Sequence, residues 1–375
     1  MLNRYKKLIK SLCVITVISF TTVGTSYAQL DDAGAILRAG ADDANTLMKS
    51  YISPFGKGFG ANLNTGWFNT AQTHKTLGFD LSINVAAAIV PSSGQSFNVN
   101  DLTFDELELI SGSPEAPTIS GNESSNTEMG ITYTNPQTSQ EETLTSFFIP
   151  GGTGFPYVPS PMIQASLGII KDTDITVRYV PETDIDPIDG SVGLFGIGVK
   201  HGVNQWLPGG SALPVDISVQ FGYTTFDSNA GFDVQPQDDP DTYNQYENQP
   251  STWEGQGIEL ETSATTFNAI VGKTLPIISV YGGVGLESST TTITSPGSYP
   301  ITVPNENYNN IGDPSFGFPK AIERVDSPVD IEIEGDNSFR AFAGTRIKLA
   351  IFQISASYTL SNYSSFNVGF GISFR

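Results

Sequence analysis

The sequence predicts an all-β fold: a transmembrane antiparallel β-barrel of about 12–14 strands with a short N-terminal helical plug segment. Three observations predict it. Ten stretches alternate apolar with small or polar residues at a period of two. In the closing stretch, Phe366, Val368, Phe370, Ile372 and Phe374 oppose Asn367, Gly369, Gly371, Ser373 and Arg375. The gaps between these stretches are alternately long and short, and a leader of secretory type precedes them all.

The leader spans residues 1–28. Arg4, Lys6, Lys7 and Lys10 form a basic region, Leu12 to Phe20 an apolar one, and Ser26-Tyr27-Ala28 a small-x-small cleavage site. The apolar run is too short to span a bilayer as a helix. Cys13, the single cysteine, lies within the leader, so the mature chain offers no disulfide, thiolate metal site or cysteine nucleophile. The mature chain carries 14 Lys and Arg against 39 Asp and Glu, a net charge of −25 that argues against nucleic acid as a partner. No later stretch reaches the roughly 18 uninterrupted apolar residues of a membrane-spanning helix. Residues 29–375 therefore read as one barrel domain, with 30–58 the N-terminal helix or plug and 59–375 the barrel.

Within the plug, LDDAGAILRAGADDANTLMKSYISP (30–54) has acids at its start and an apolar stripe of Leu37, Ala44, Leu47, Met48 and Tyr51, the pattern of a short helix. A disordered periplasmic tail is the alternative. Residues 60–68 (GANLNTGWF) read as a strand or as more of the plug. The wall strands are 77–90, 162–170, 174–181, 191–201, 214–226, 258–272, 277–290, 337–348, 351–360 and 364–375. Many run to ten residues or more, beyond the globular mode of about 5–6 and close to the roughly 9–11 a tilted membrane strand needs. LTFDELELI (102–110) and 130–148 are further alternating segments, either extra wall or a hairpin above the membrane.

Once the apolar face of each strand is set toward lipid, the strand charges fall on the other face. Asp80, Arg178, Lys200, Asp216, Glu287, Arg340 and Arg346 are the lumen-facing candidates, and Asp174, Glu259, Glu261, Lys348 and Arg375 share that expected side. Lys or Arg at mid-depth in hydrocarbon would cost about 2–4 kcal/mol. Arg178, Lys200, Arg340 and Arg346 are expected to pair with Asp80, Asp216 and Glu287, or to attract the anionic head of an amphipathic ligand. Inward Gly and Ser leave volume for water or the plug.

Loops 91–161, 182–190, 227–257 and 291–336 and the short 361–363 alternate with 171–173, 202–213, 273–276 and 349–350. Long loops at one rim are the habit of outer-membrane barrels, with those loops outside the cell and both chain ends periplasmic or luminal. The four longer loops hold 28 of the 39 acids, and Lys320 and Arg324 are their only bases, a composition that suits solvated surface loops.

The stretch SVGLFGIGVKHGVNQWLPGGSALPVDISVQFGYTTF (191–226) carries a strand ending in Gly196, Gly198, Lys200 and His201, a turn with Trp206-Leu207-Pro208, and Leu213-Pro214 before the next strand. With YISPFGKGFGANLNTGWFNTA near the N-terminus, it resembles a family of uncharacterised outer-membrane proteins of the Bacteroidetes, itself similar to long-chain fatty acid outer-membrane transporters. That resemblance implies a barrel of about 14 strands with an N-terminal plug.

Catalytic and metal sites are not expected. His74 and His201 are the two histidines, and neither lies beside a sequence that suggests a nucleophile. ETDIDPIDG (182–190) brings Asp184, Asp186 and Asp189 together, but Pro187-Ile188 breaks calcium-loop spacing, leaving a solvated acidic turn. The expectation is a non-enzymatic outer-membrane barrel without cofactor that passes a small hydrophobic or amphipathic molecule, with outer-membrane lipid as its surroundings. The alternatives are a structural or surface-interaction barrel and a general aqueous porin.

Overall fold

A computed structural model describes residues 41–185, 190–236, 238–336 and 338–374. The leader and the acidic turn at 186–189 lie outside the described residues. Ten strands form the wall: β1 (Phe79–Ile89), β2 (Tyr157–Ile169), β3 (Thr173–Ile185), β4 (Gly190–Gly202), β5 (Asp216–Gly231), β6 (Gly257–Thr274), β7 (Ile278–Thr294), β8 (Ser338–Leu349), β9 (Phe352–Leu360) and β10 (Ser365–Phe374). Each pairs antiparallel with its sequence neighbours, and β10 closes the ring on β1 through a register running from Phe79↔Phe374 to Ala88↔Ser365. Closure leaves no wall edge to meet lipid.

These are the ten segments whose alternation marks them in the sequence. The wall therefore has ten strands, not about 12–14. The additional alternating segments fold above it, as small sheets made of Glu108–Ser111, Glu128–Thr134 and Glu141–Phe148, and of Thr242–Tyr243, Ser298–Pro304 and Lys320–Asp326. One face of these strands packs into a cap core of Leu107, Met129, Ile131, Phe147, Tyr299 and Ile331, while the other meets water. A cap sheet alternates for the same reason a wall does, because one of its faces is apolar.

The outward faces of the wall are apolar and exposed, as Leu81, Ile83 and Val85 on β1 and Phe366, Val368 and Phe370 on β10 illustrate. The inward faces are buried and polar: Ser82, Asn84, Gln164, Ser218, Gln220, Asn268 and Asn367. This inversion of core and surface is the arrangement of a barrel in lipid. Glu259 and Glu261 depart from expectation. They share the outward parity of Phe267 and Val271 but are solvent-exposed, beyond the apolar band at the long-loop end of β6. Ile258 and Leu260, which suggested the opposite assignment, pack against the cap core instead of lipid.

Among the described residues one α-helix, α1 (Ala41–Leu63), runs inside the ring and contacts β1, β2, β6 and β7. It extends past the expected plug boundary, through Pro54 and through Gly56, Gly58 and Gly60. Those glycines mark close approach to the wall. A Cβ at Gly58 would stand 2.9 Å from Val158, and one at Gly60 2.0 Å from the Ser289 hydroxyl. Tertiary packing overrides the weak helix propensity of this stretch.

Candidate functional site

The plug occupies the lumen from one rim to the other. At the long-loop end, the buried Asp43 carboxylate accepts the backbone amides of Asp105, Glu106 and Leu107 at 2.7–2.8 Å, tying the first turn of α1 to the cap. Asn45 is held by the Pro328 carbonyl and the Asp330 amide. Ala44, Leu47 and Met48, from the apolar stripe, enter the cap core with Tyr51 packed against it. The helix thus starts among the long loops and the chain leaves the lumen at the short-turn end, where β1 begins.

Two arginines from opposite walls grip the C-terminus of α1. Arg178 on β3 donates to the carbonyls of Leu63 (2.6 Å) and Thr65 (2.5 Å), and to the Gln164 side chain. Arg340 on β8, five strands away around a ring of ten, donates to the Asn64 carbonyl (2.8 Å) and pairs with Glu287 at 3.2 Å. The last carbonyls of a helix have no intrahelical donors and carry the negative end of its dipole, so two buried guanidinium groups satisfy both needs. Asn62 and Asn64 complete the grip, donating to the wall carbonyls of Val158 and Ser288.

Below the helix the chain continues as an extended tail to Gly78. The Trp67 indole lies under the Arg178 guanidinium at 3.7 Å, a cation–π contact. It fills a slot cut into the wall by Gly196, Gly198 and Gly222, where a Cβ would approach the ring to 3.2, 2.7 and 2.5 Å respectively. Inward glycines here hold the volume of an indole. Gly222→Val is expected to lower thermal stability by about 1–3 kcal/mol through overpacking against Trp67, measured as a fall in the temperature at which heat-modifiable gel mobility is lost. In a W67A background the same substitution should cost little further stability, which would place the loss on contact with Trp67.

The remaining lumen-facing candidates cluster toward the short-turn rim. Lys200 donates to the tail carbonyls of Thr70 and Gln72 and pairs with Asp174 at 3.2 Å, and Asp174 also takes His74 at 3.1 Å. Asp80 accepts from Asn69 and from Gln353. Arg346 donates to Asn69 and Ser279, both neutral. Asp216 is half-buried at the rim. Of the charge pairs expected among the seven candidates, Arg340–Glu287 forms. The others find carbonyls, amides, hydroxyls or Asp174, because the plug brings its own backbone acceptors into the lumen. Trp67, Asn62 and Asn64 thus join the site, as does Asp174, whose inward side the alternation gives; inward glycines signal room in the wall but not which residue fills it. Among the described residues no cluster of three or more His, Cys, Asp or Glu side chains could hold a metal ion. His201 sits between the Thr173 hydroxyl and the Trp206 indole N–H, at the wall and away from the plug.

The wall itself is unevenly closed. β2 and β3 pair only from Gln164↔Arg178 to Ile169↔Thr173. Toward the long-loop end β2 stays on β1 as far as Tyr157 and β3 stays on β4 as far as Ile185, with an irregularity between Val180 and Thr183. Residues 157–163 and 179–185 are thus unpaired across the seam. Continuing the register would set Pro161 opposite Pro181, a rung at which neither residue has an N–H, and Pro159 removes a further donor. Just inside this seam the lumen is apolar. Val158, Met162, Val180 and Leu194 of the wall pack with Phe55 and Phe59 of α1 and with Phe226, the last two in edge contact at 4.7 Å.

Among solved structures, the fold resembles Ail, the attachment invasion locus protein of Yersinia pestis (10% identity, 80% of this chain and 100% of that one, TM-score 0.24). It also resembles the translocator domain of the autotransporter NalP from Neisseria meningitidis (9% identity, 80% and 90%, TM-score 0.28). A third likeness is to the toluene transporter TodX of Pseudomonas putida (7% identity, 87% and 97%, TM-score 0.25). All three are outer-membrane barrels of low overall superposition, and closure of this barrel rests on its own strand pairings. No curated protein matches the sequence. A family model spans residues 5–374, and by that match the chain belongs to DUF6588, a family of unknown function.

Proposed function

We propose that this is an outer-membrane barrel that takes a small hydrophobic or amphipathic molecule from the outer leaflet through the β2–β3 seam, not along its axis. One observation carries the reading: the unpaired stretch of wall stands directly in front of the apolar cluster around Phe59 and Phe226, whereas the smaller apolar cluster of Ala71, Ile270, Tyr281 and Phe342 lies against the fully paired strands β6, β7 and β8. The plug, held at both rims, argues against a general aqueous porin. The protein works in the outer membrane without cofactor or catalysis, and outer-membrane lipid covers its apolar band. A second reading, a surface-interaction barrel, is favoured by the cap, whose acidic loops are folded on a core of their own.

Labelled hydrophobic-compound uptake by cells with and without the protein separates the two. Equal uptake would leave the surface-interaction reading. Orientation is tested first. A cysteine replacing exposed Asp42 at the start of α1 is expected to react with an impermeant maleimide on intact cells, and one replacing Ala212 in the 202–213 turn is expected to stay unlabelled until the outer membrane is opened. The reverse pattern would place the cap in the periplasm.

A further inference from the structure

We infer that the short-turn mouth of the barrel contains an oxyanion site, formed by Arg346 and Lys348 with the hydroxyls of Ser279, Ser373, Thr70 and Thr274. These groups line a cavity of about 130 Å³ between the plug tail and the wall strands β6, β7, β8 and β10. The volume accepts a phosphate or carboxylate group. What distinguishes the cavity is an excess of donors. Arg346 is buried, gives Nη1 to Asn69 and Nη2 to Ser279 Oγ, and its Nε is buried with no hydrogen-bond partner. Lys348 gives Nζ to Ser373 Oγ at 3.1 Å, leaving two ammonium hydrogens. Both serines accept from a cation and keep their own protons to donate.

Among the described residues neither Arg346 nor Lys348 is in an ion pair. Two acids lie nearby, and Asp80 is close enough to act on both cations without bonding either. Asp174 holds Lys200 and His74, and Asp80 holds Asn69 and Gln353 without lining the cavity. Two cations against the single carboxylate of Asp80 leave a net positive charge at this rim of a chain whose overall charge is −21. Charge-assisted bonds from the guanidinium and the ammonium would hold an oxyanion there.

The same phosphate chemistry has two sources here. One is a free periplasmic anion. The other is the headgroup of a phospholipid lying against the exposed apolar turn Leu275, Pro276 and Ile277 beside the cavity. The site is at the opposite end of the barrel from the seam, so its test is independent of the transport reading.

Calorimetric titration of the full mature protein in a non-ionic detergent and phosphate-free buffer would use inorganic phosphate, dihexanoyl phosphatidate and dihexanoyl phosphatidylcholine. Saturable binding of phosphate, phosphatidate or both is expected. Lys348→Gln and Arg346→Gln should each weaken it by roughly tenfold or more while heat-modifiable gel mobility, the sign of a folded barrel, is retained. Phosphate alone would assign the free anion, and phosphatidate alone or with preference would assign the headgroup. No binding of either anion, binding equal for phosphatidylcholine, or binding indifferent to both substitutions would overturn the site.

Discussion

Replacing both plug-gripping arginines, as R178M/R340M, is expected to turn a closed barrel into an ion-conducting one. The two residues act on the same few carbonyls, those of Leu63, Asn64 and Thr65, where α1 ends inside the lumen. Hydrogen bonds from a charged donor are worth about 1.5–3 kcal/mol each, and the stack of Arg178 on Trp67 adds up to about 2 when desolvated. Losing either residue should therefore weaken plug seating by about 3–5 kcal/mol, which multiplies the displaced population roughly 10²- to 10⁴-fold. Wild-type protein in planar bilayers should be silent or nearly so, and the double variant should show frequent openings. Removing Arg340 also orphans Glu287, so R178M/R340M/E287Q separates loss of the grip from the effect of an unpaired buried acid. R178K should be intermediate, since an ammonium cannot fork onto two carbonyls as a guanidinium does. A silent double variant would mean that the cap contacts and the Asn62 and Asn64 bonds to the wall hold the helix without the arginines.

That grip explains why part of this molecule was legible in its sequence and part was not. The wall was legible because lipid imposes one uniform demand on every strand: an apolar outward residue at each second position. Leu81, Ile83 and Val85, or Phe366, Val368 and Phe370, answer it without reference to anything distant in the chain. The alternation of long loops with short turns follows from connectivity alone. The strand count was less legible, because Glu128–Thr134 and Glu141–Phe148 alternate for a core above the membrane, and a period of two does not say which apolar medium it faces. Along β6 the medium changes within one strand. Ile258 and Leu260 are apolar toward the cap, whereas Phe267 and Val271 are apolar toward lipid on the other parity, so the side assigned to Glu259 and Glu261 came out reversed.

The lumen is a matter of partners, and partners are not periodic. Inward Gly222 and the Gly196/Gly198 pair reported vacant volume, but nothing local to them names Trp67, which is far away in sequence. Pro54 and three glycines in five residues are poor helix formers. The helix continues because small residues are what fit between Val158 on one wall and Ser289 on another. Asp80, Arg178, Lys200, Arg340 and Arg346 are buried on the inward face, which follows from the cost of exposing charge to hydrocarbon. Their pairing does not follow, because the plug tail supplies carbonyl acceptors that a wall-only reading omits.

The seam makes the second large prediction. Ile163 and Tyr179 would form the rung next to the last paired one, Gln164↔Arg178. With cysteines at both positions, oxidation should clamp β2 to β3 across the gap. Cys13 is the one cysteine in the sequence, and replacing it with serine in the same variant leaves the two introduced thiols alone to pair. Closing a loop of this length restricts the unfolded chain enough to stabilise the barrel by about 3 kcal/mol, seen as a rise in melting temperature of the oxidised over the reduced form. The functional expectation is sharper than the thermal one. If hydrophobic molecules pass the seam to reach Phe55, Phe59 and Phe226, uptake by cells with the oxidised variant should fall to that of cells lacking the protein and return on reduction with a phosphine. A control pair within the paired section, at Ala165 and Val177, should leave uptake unchanged in either redox state, because those residues already face each other in the ladder. Equal uptake before and after clamping at 163 and 179, with the disulfide verified by gel shift, would remove the lateral route. The prolines at 159, 161 and 181 would then be a purely local interruption of the ladder. Reversible loss confined to the upper pair would instead show that the missing N–H groups at this rung keep an entrance open, as the absence of a ladder there requires.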